Sequence, residues 1–166
     1  SLGSAAFGSS PMTIPLAGLV DRMSDSTAGR WNIGVGLALM VLFMLYGFYL
    51  IYMRDLAPGR EAWIAASNVS PHFEARLAHA HGNLFSLLNV VFGALLLWLP
   101  VRPRRARWIS GLALVGLLMP IGILSEIYLG LPPVLVLLGA VALVAATALL
   151  AVEVYRMDVA ALRSPG

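Results

Sequence analysis

The sequence predicts an all-α integral membrane protein, with four transmembrane helices in an antiparallel bundle and both termini in the cytoplasm. Three observations predict this fold class: an apolar composition, four apolar runs of bilayer-spanning length, and arginines gathered in alternate loops. Hydrophobic residues make up 60% of the 166 residues, charged residues only 11%, and the mean hydropathy is +0.86. Soluble domains are nearer half apolar and a quarter charged, so lipid is the expected solvent.

Each apolar run has about the 20 residues that a helix needs to cross a hydrocarbon core of about 30 Å. The spans are predicted at residues 31–53, 71–99, 108–129 and 133–154. The second helix is expected to begin before its apolar part, because Ser70 is a favourable N-cap and Pro71 suits the first helical position. Its first turns should therefore stand in the headgroup region.

The spans form one transmembrane domain at residues 31–155, flanked by tails at residues 1–30 and 156–166. The first tail lacks the basic region and the unbroken apolar core of a signal peptide, so we expect it to lie on the membrane surface. Because the chain starts with a serine, Met12 and Met23 are both candidate natural start residues.

Arginines fix the predicted orientation, because positively charged loops stay on the cytoplasmic side of a membrane. Eight arginines flank the termini and the link between the second and third spans: Arg22, Arg30, Arg102, Arg104, Arg105, Arg107, Arg156 and Arg163. Three lie on the other side: Arg54, Arg60 and Arg76. Both termini are thus predicted to be cytoplasmic, in a bacterial-type inner membrane.

Several classes of chemistry lack their residues in this chain. Cysteine is absent, which excludes disulfides, thiolate nucleophiles and iron–sulfur clusters. No phosphate-binding glycine loop, nucleophile elbow or zincin motif occurs. The basic residues flank spans instead of forming a stripe, so no nucleic-acid partner is expected.

Polar residues on the second predicted span fall on one narrow stripe. At 100° per residue, Asn83 lies about 40° from His79 and Ser86 about 20° from it. His81 points to about the opposite side, towards lipid or apolar neighbours, and His72 is expected to be exposed above the membrane. His79 is therefore the inward histidine.

A polar site is predicted where these residues meet the outer ends of the first and third spans. Its candidate residues are His79, Asn83, Ser86, Glu126 and Tyr49. Imidazole can ligate a metal or haem iron or move a proton, amide and hydroxyl groups can orient a ligand, and a buried carboxylate can hold the second imidazole nitrogen. The alternative is that histidine and asparagine only bond helices together, and that tyrosines form the interfacial aromatic belt.

One segment resembles a known family. Arg76-Leu77-Ala78-His79-Ala80-His81-Gly82-Asn83, followed by Leu87-Leu88-Asn89-Val90-Val91-Phe92-Gly93, resembles the second helix of styrene oxide isomerase and its relative hydroxylaminobenzene mutase. Those are small four-span membrane proteins. The long first loop with Pro58-Gly59 and Trp63, and a tyrosine near the end of the third span, are also similar. The resemblance implies haem b ligated by His79 or His81, with ferric iron acting as a Lewis acid on an epoxide.

Two functions follow. The first is a non-catalytic accessory or structural membrane subunit, acting as a homo-oligomer or within a larger membrane complex, with the bilayer as its other partner. The alternative is a haem-b-binding, isomerase-like protein that acts on a small apolar substrate, with His79 as the ligand of the haem iron.

Overall fold

The structure, a computed structural model, describes the backbone of residues 16–157 and the side chains of residues 27–157. This part of the chain is helical and contains no strand. Four helical segments are long and apolar enough to cross a membrane: Thr27–Asp55, His72–Trp98, Pro103–Leu129 and Val134–Tyr155. The predicted all-α class with four spans is confirmed. Met12 and the C-terminal tail beyond residue 157 lie outside the described residues.

Six helices make up these segments: α1 Leu16–Asp55, α2 Arg60–Ala65, α3 His72–Trp98, α4 Pro103–Gly116, α5 Leu118–Leu129 and α6 Val134–Tyr155. The first is 40 residues long, so residues 16–30, predicted as a tail, continue the helix of the first span. Polar residues mark where an apolar span ends, but they do not stop helical hydrogen bonding, which propagates cooperatively until a breaker intervenes.

The ends of α3 differ slightly from the sequence prediction. Pro71 occupies the N-cap position without a side-chain cap, so Ser70 is not the N-cap. At the other end, Leu99 is extended, with φ −91° and ψ 142°. The cause is Pro100, because a proline ring disfavours the helical conformation of the residue before it.

The third span is two helices, where the sequence predicted one. It begins at Pro103, five residues before the predicted start at Trp108, and is interrupted at Leu117. Pro120 explains the interruption, since it lacks an N–H for the carbonyl of Gly116 and its ring crowds that carbonyl. Gly139 of α6 packs against the backbone of Met119 there, which a side chain would prevent.

Glycines bring α1 and α3 into close contact. Gly29 lies against Gly93 and Leu97, and further along α1 Gly47 lies against His79. Residue numbers rise along one helix as they fall along the other, so these two helices run in opposite directions. Small residues at a helix interface let backbones approach, which drives association in lipid.

The largest apolar core lies between α3, α4 and α6. It includes Phe92, Ile109 and Ala146, of which the last two are fully buried. Large apolar side chains such as Phe48 and Val144 are exposed on the outside of the bundle. That surface suits lipid and leaves the polar groups described next among the helices.

Candidate functional site

The ring of His79 packs against α1 at Gly47. A Cβ atom added at Gly47 would collide with the His79 imidazole. One turn earlier on α1, the Phe43 carbonyl oxygen lies 2.8 Å from His79 Nδ1. Because Gly47 has no Cβ, the imidazole can reach a backbone carbonyl that a larger residue would cover.

This contact determines the tautomer of His79. A carbonyl oxygen can only accept a hydrogen bond, so Nδ1 carries the proton and donates it. In the neutral ring, Nε2 then keeps its lone pair. Nε2 makes no hydrogen bond within the described residues and is not enclosed by protein. Histidines that ligate metals are commonly oriented in this way, by N–H donation to a backbone carbonyl.

A groove runs along α1 and α3 beside His79. It encloses about 430 Å³. Its lining is Met44, Gly47, Phe48, Leu50, Ile51, Arg54, His72, Arg76 and His79. The wall contributed by α1 is apolar up to Arg54, whereas α3 contributes the two histidines and Arg76. The groove is thus amphipathic, with its cationic groups at the end nearest the first loop.

His72 lies at that end and is buried, contrary to the expectation that it would be exposed. Only 7% of its surface is accessible, its ring stacks on Trp63 with 4.1 Å between centroids, and its Nδ1 lies 2.7 Å from the Trp63 carbonyl oxygen. Sequence could not show this, because the contact depends on how the loop containing α2 folds back onto α3. The loop thereby packs against the end of the groove at which His72 lies.

Asn83 contacts His79 but does not line the groove. Its side-chain amide donates to the His79 carbonyl at 3.0 Å, one turn back on the same helix. The amide nitrogen also lies 3.3 Å from His79 Nδ1. Since Nδ1 carries a proton, this second contact offers no acceptor. Asn83 therefore bonds to the backbone of α3 next to the imidazole and does not reach the groove.

The other predicted site residues lie apart from the groove. Ser86 is fully buried, with its hydroxyl unpaired, and its backbone carbonyl meets Gly36. The carboxyl group of Glu126 on α5 makes no hydrogen bond or ion pair with His79 or any other described residue, and one of its oxygens is enclosed. Tyr49 is exposed and stacks on Tyr46. Of the five candidates, the structure brings only His79 and Asn83 into hydrogen-bonding contact.

Near Glu126, α5 contacts α1 through a pair of tyrosines. Tyr128, two residues further along α5, has its hydroxyl 3.1 Å from that of Tyr46. Tyr46 adjoins Gly47, which contacts His79. The two contacts lie at the same level of α1 but about 100° apart around it. The tyrosine contact between α1 and α5 and the histidine groove between α1 and α3 therefore lie on different faces of α1 at the same height along it.

Sequence reasoning missed a buried polar network that joins three helices. It consists of Asn32, Asn89 and Ser110, from α1, α3 and α4. Asn32 donates to the Asn89 side-chain oxygen at 2.9 Å and to the Ser110 carbonyl at 3.2 Å, and the Ser110 hydroxyl donates to the Asn32 oxygen.

Asn89 completes this network by donating to the carbonyls of Phe85 at 3.0 Å and Ala113 at 2.9 Å. The side-chain N–H groups of both asparagines thus all donate hydrogen bonds, and both asparagines are 0% exposed. The signal available in the sequence was an asparagine within each of two apolar runs. A group with every hydrogen bond satisfied holds helices together and has nothing left for a ligand.

Comparisons of the chain with protein-family models, with curated proteins and with solved structures found no match.

Proposed function

We propose that this protein binds haem b in the groove between α1 and α3, with His79 as the ligand of the iron, and serves a small apolar substrate that enters from the bilayer. One observation carries the proposal: His79 donates Nδ1–H to the Phe43 carbonyl at 2.8 Å and leaves Nε2 with an unused lone pair beside the groove. The resemblance of the α3 segment to the styrene oxide isomerase family supports the same residue.

The residues present fit a haem. A porphyrin has a broad apolar face and two anionic propionates, and the groove combines Met44, Phe48 and Ile51 with two arginines. Arg76 is three residues from His79, and Arg54 is seven residues from Gly47, or about 10 Å along α1. Both could pair with propionates. Arg54 is oriented by Asp55, at 2.7 Å, and Arg76 donates to the Ser67 carbonyl at 3.3 Å.

In this proposal the side chains bind and orient, and the prosthetic group supplies the reactivity. Ferric haem, when bound, would supply a Lewis acid for an oxygen of the substrate. Phe43 and Gly47 set the direction of the His79 ring, and Trp63 with His72 covers the outer end of the groove. An apolar substrate could reach the groove from lipid without crossing water.

An absorption spectrum of the purified protein, expressed with haem supplied, tests the proposal. We expect a Soret band in the wild type, its loss in His79→Ala, and its retention in His81→Ala. His81 is the matched control, because it lies on the same helix, bonds to the Leu77 carbonyl and packs on Phe85, outside the groove.

His79→Gly with added imidazole separates ligation from folding. Soluble imidazole should occupy the vacated space and restore the band if His79 acts as an iron ligand. A wild-type protein without a Soret band, or equal loss in His79→Ala and His81→Ala, would contradict the proposal.

The same proposal includes a membrane orientation. In the sequence, eight of the eleven arginines flank the termini and the α3–α4 link, and three flank the loop that contains α2. By the positive-inside rule the first group is cytoplasmic, in a bacterial-type inner membrane.

The accessory-subunit function is the second candidate, favoured by the hydrogen bonds of Asn83 and Asn89. Both amides are bonded to backbone carbonyls, and Asn89 also joins three helices. In that case the polar stripe of α3 only stabilises the bundle, as a homo-oligomer or within a larger complex. The expected result is then a colourless protein of fixed oligomeric size, in which His79→Ala has no spectral effect.

A further inference from the structure

The arginine-rich end of the bundle contains an ion pair that neither proposed function uses. Glu153, on the last turns of α6, is only 5% exposed. One of its carboxyl oxygens lies 3.4 Å from Arg102 Nη2 and 3.8 Å from Arg105 Nε. One carboxylate thus anchors two guanidinium groups and ties the start of α4 to the end of α6.

This pairing leaves a surplus of positive charge. The α3–α4 link and the first turns of α4 carry four arginines, and Glu153 is the single acidic residue that the described parts of α4 and α6 bring to them. The side chain of Arg104 makes no ion pair or hydrogen bond within residues 27–157, and neither does that of Arg107. The two therefore differ only in position.

Arg104 borders a cleft of about 430 Å³, whereas Arg107 does not. Arg104, Arg105, Trp108 and Leu149 line it. On α4, Trp108 lies about 40° from Arg104, whereas Arg107 lies about 100° from Trp108 and outside the cleft. The cleft has two cations at its mouth, an exposed indole beside them and an aliphatic floor on α6.

These groups match the parts of one kind of molecule. Guanidinium groups recognise phosphate oxygens, an indole at a membrane interface suits the glycerol region, and the aliphatic floor suits the start of an acyl chain. Basic clefts between helices at a membrane surface are typical sites for anionic lipid headgroups. A soluble phosphate would use the arginines but not the tryptophan and the leucine.

We infer that the cleft between α4 and α6 binds an anionic phospholipid, such as phosphatidylglycerol. Arg104 and Arg105 hold the phosphate, and Trp108 and Leu149 contact the glycerol and acyl region. Glu153 fixes Arg105 towards the cleft and neutralises Arg102 in part, so the lipid is held at a defined place on the bundle. This inference is independent of whether His79 binds haem.

Lipid binding by the full chain in neutral detergent, counted by native mass spectrometry, tests the inference. We expect phosphatidylglycerol to bind more tightly than phosphatidylcholine, and Arg104→Gln to weaken phosphatidylglycerol binding about five-fold. Arg107→Gln is the matched control, since it removes the same charge from the same helix outside the cleft, and should change binding less than two-fold. Neither substitution touches the ion pair of Glu153, so both variants should fold.

Three outcomes would overturn the inference. Equal binding of the two lipids would show that charge plays no part. Equal weakening by Arg104→Gln and Arg107→Gln would show diffuse attraction in place of a site. Displacement of the lipid by glycerol phosphate at equal concentration would show that the cleft recognises free phosphate and no lipid.

Discussion

At the scale of single residues, the polar groups of this bundle fall into two kinds. Asn32, Asn89 and Ser110 satisfy one another completely and are sealed from both lipid and solvent. His79 lines a groove and bonds one ring nitrogen to the Phe43 carbonyl, and no described residue bonds the other nitrogen. A buried amide with no free donor is a structural element, whereas an oriented imidazole with a free lone pair is a candidate ligand.

Asn89→Leu tests the structural role of the network. Leucine has a similar volume but cannot accept from Asn32 or donate to Ala113, and it leaves part of the Asn32 amide unpaired. We expect a loss of about 2 kcal/mol in the free energy of unfolding, measured by denaturation in mixed micelles. Asn68→Leu, at an exposed position between α2 and α3, is the control and should cost less than about 0.5 kcal/mol.

A double-mutant cycle sharpens this test. If Asn32 and Asn89 are coupled, the double variant with leucine at both positions should lose less stability than the sum of the single losses. Strictly additive losses would mean that the two side chains act separately, in conflict with the 2.9 Å hydrogen bond between them.

The sequence predicted some of these residues and not others, for a physical reason. The direction of His79 follows from helical periodicity alone, which is local, and the structure places its ring against α1. The burial of His72 depends on a loop, and the pairing of Asn32 with Asn89 joins residues 57 positions apart. Contacts of that separation depend on how helices are rotated against one another, which periodicity within one helix does not determine.

At the scale of helices, composition predicted the elements and packing refined them. The fourth span was predicted at 133–154 and is found at Val134–Tyr155, because apolar runs set the length of a membrane helix. The interruption of the third span at Leu117 was missed because apolar residues continue through it. Pro120 was the available signal, since its missing N–H breaks helical hydrogen bonding whatever the hydropathy.

Gly93→Ala tests the close contact of α1 with α3. The added methyl group would meet the Gly29 carbonyl oxygen and Ile33, and backbone atoms cannot move aside as a flexible side chain can. We expect a loss of about 2 kcal/mol in the free energy of unfolding from this overpacking, measured in mixed micelles. The His79 groove lies along the same contact, so Gly93→Ala should also weaken any ligand bound there.

Gly34→Ala is the matched control, because its methyl group would meet no atom within 4 Å and the residue lies on the exposed face of α1. Removing a helical glycine there should leave stability unchanged or raise it by a few tenths of a kcal/mol. A larger loss for Gly34→Ala than for Gly93→Ala would contradict the described packing of α1 on α3.

At the scale of the whole molecule, the charge distribution and the two sites are arranged along the same axis. The His79 groove lies towards the end that carries Arg54 and the loop containing α2, and the proposed lipid cleft lies at the end that carries Arg104 and Arg105. Each site combines cations near a membrane surface with an apolar surface facing the bilayer. The orientation of the chain therefore decides which leaflet supplies each of them.

Single cysteines determine that orientation, and the native chain offers no background thiol. Asn68, Pro132 and Pro100 are suitable positions, because all three are exposed and lie in connections between helices, the first two at one end of the bundle and Pro100 at the other. We expect an impermeant maleimide to label Asn68→Cys and Pro132→Cys in intact bacterial cells, and Pro100→Cys only after permeabilisation. The physical reason is the cost of moving across the membrane the eight arginines that flank the termini and the α3–α4 connection, against three on the other side, Arg54, Arg60 and Arg76. Labelling of Pro100→Cys alone in intact cells would show that the orientation is the inverse of the predicted one. The lipid cleft would then lie in the outer leaflet.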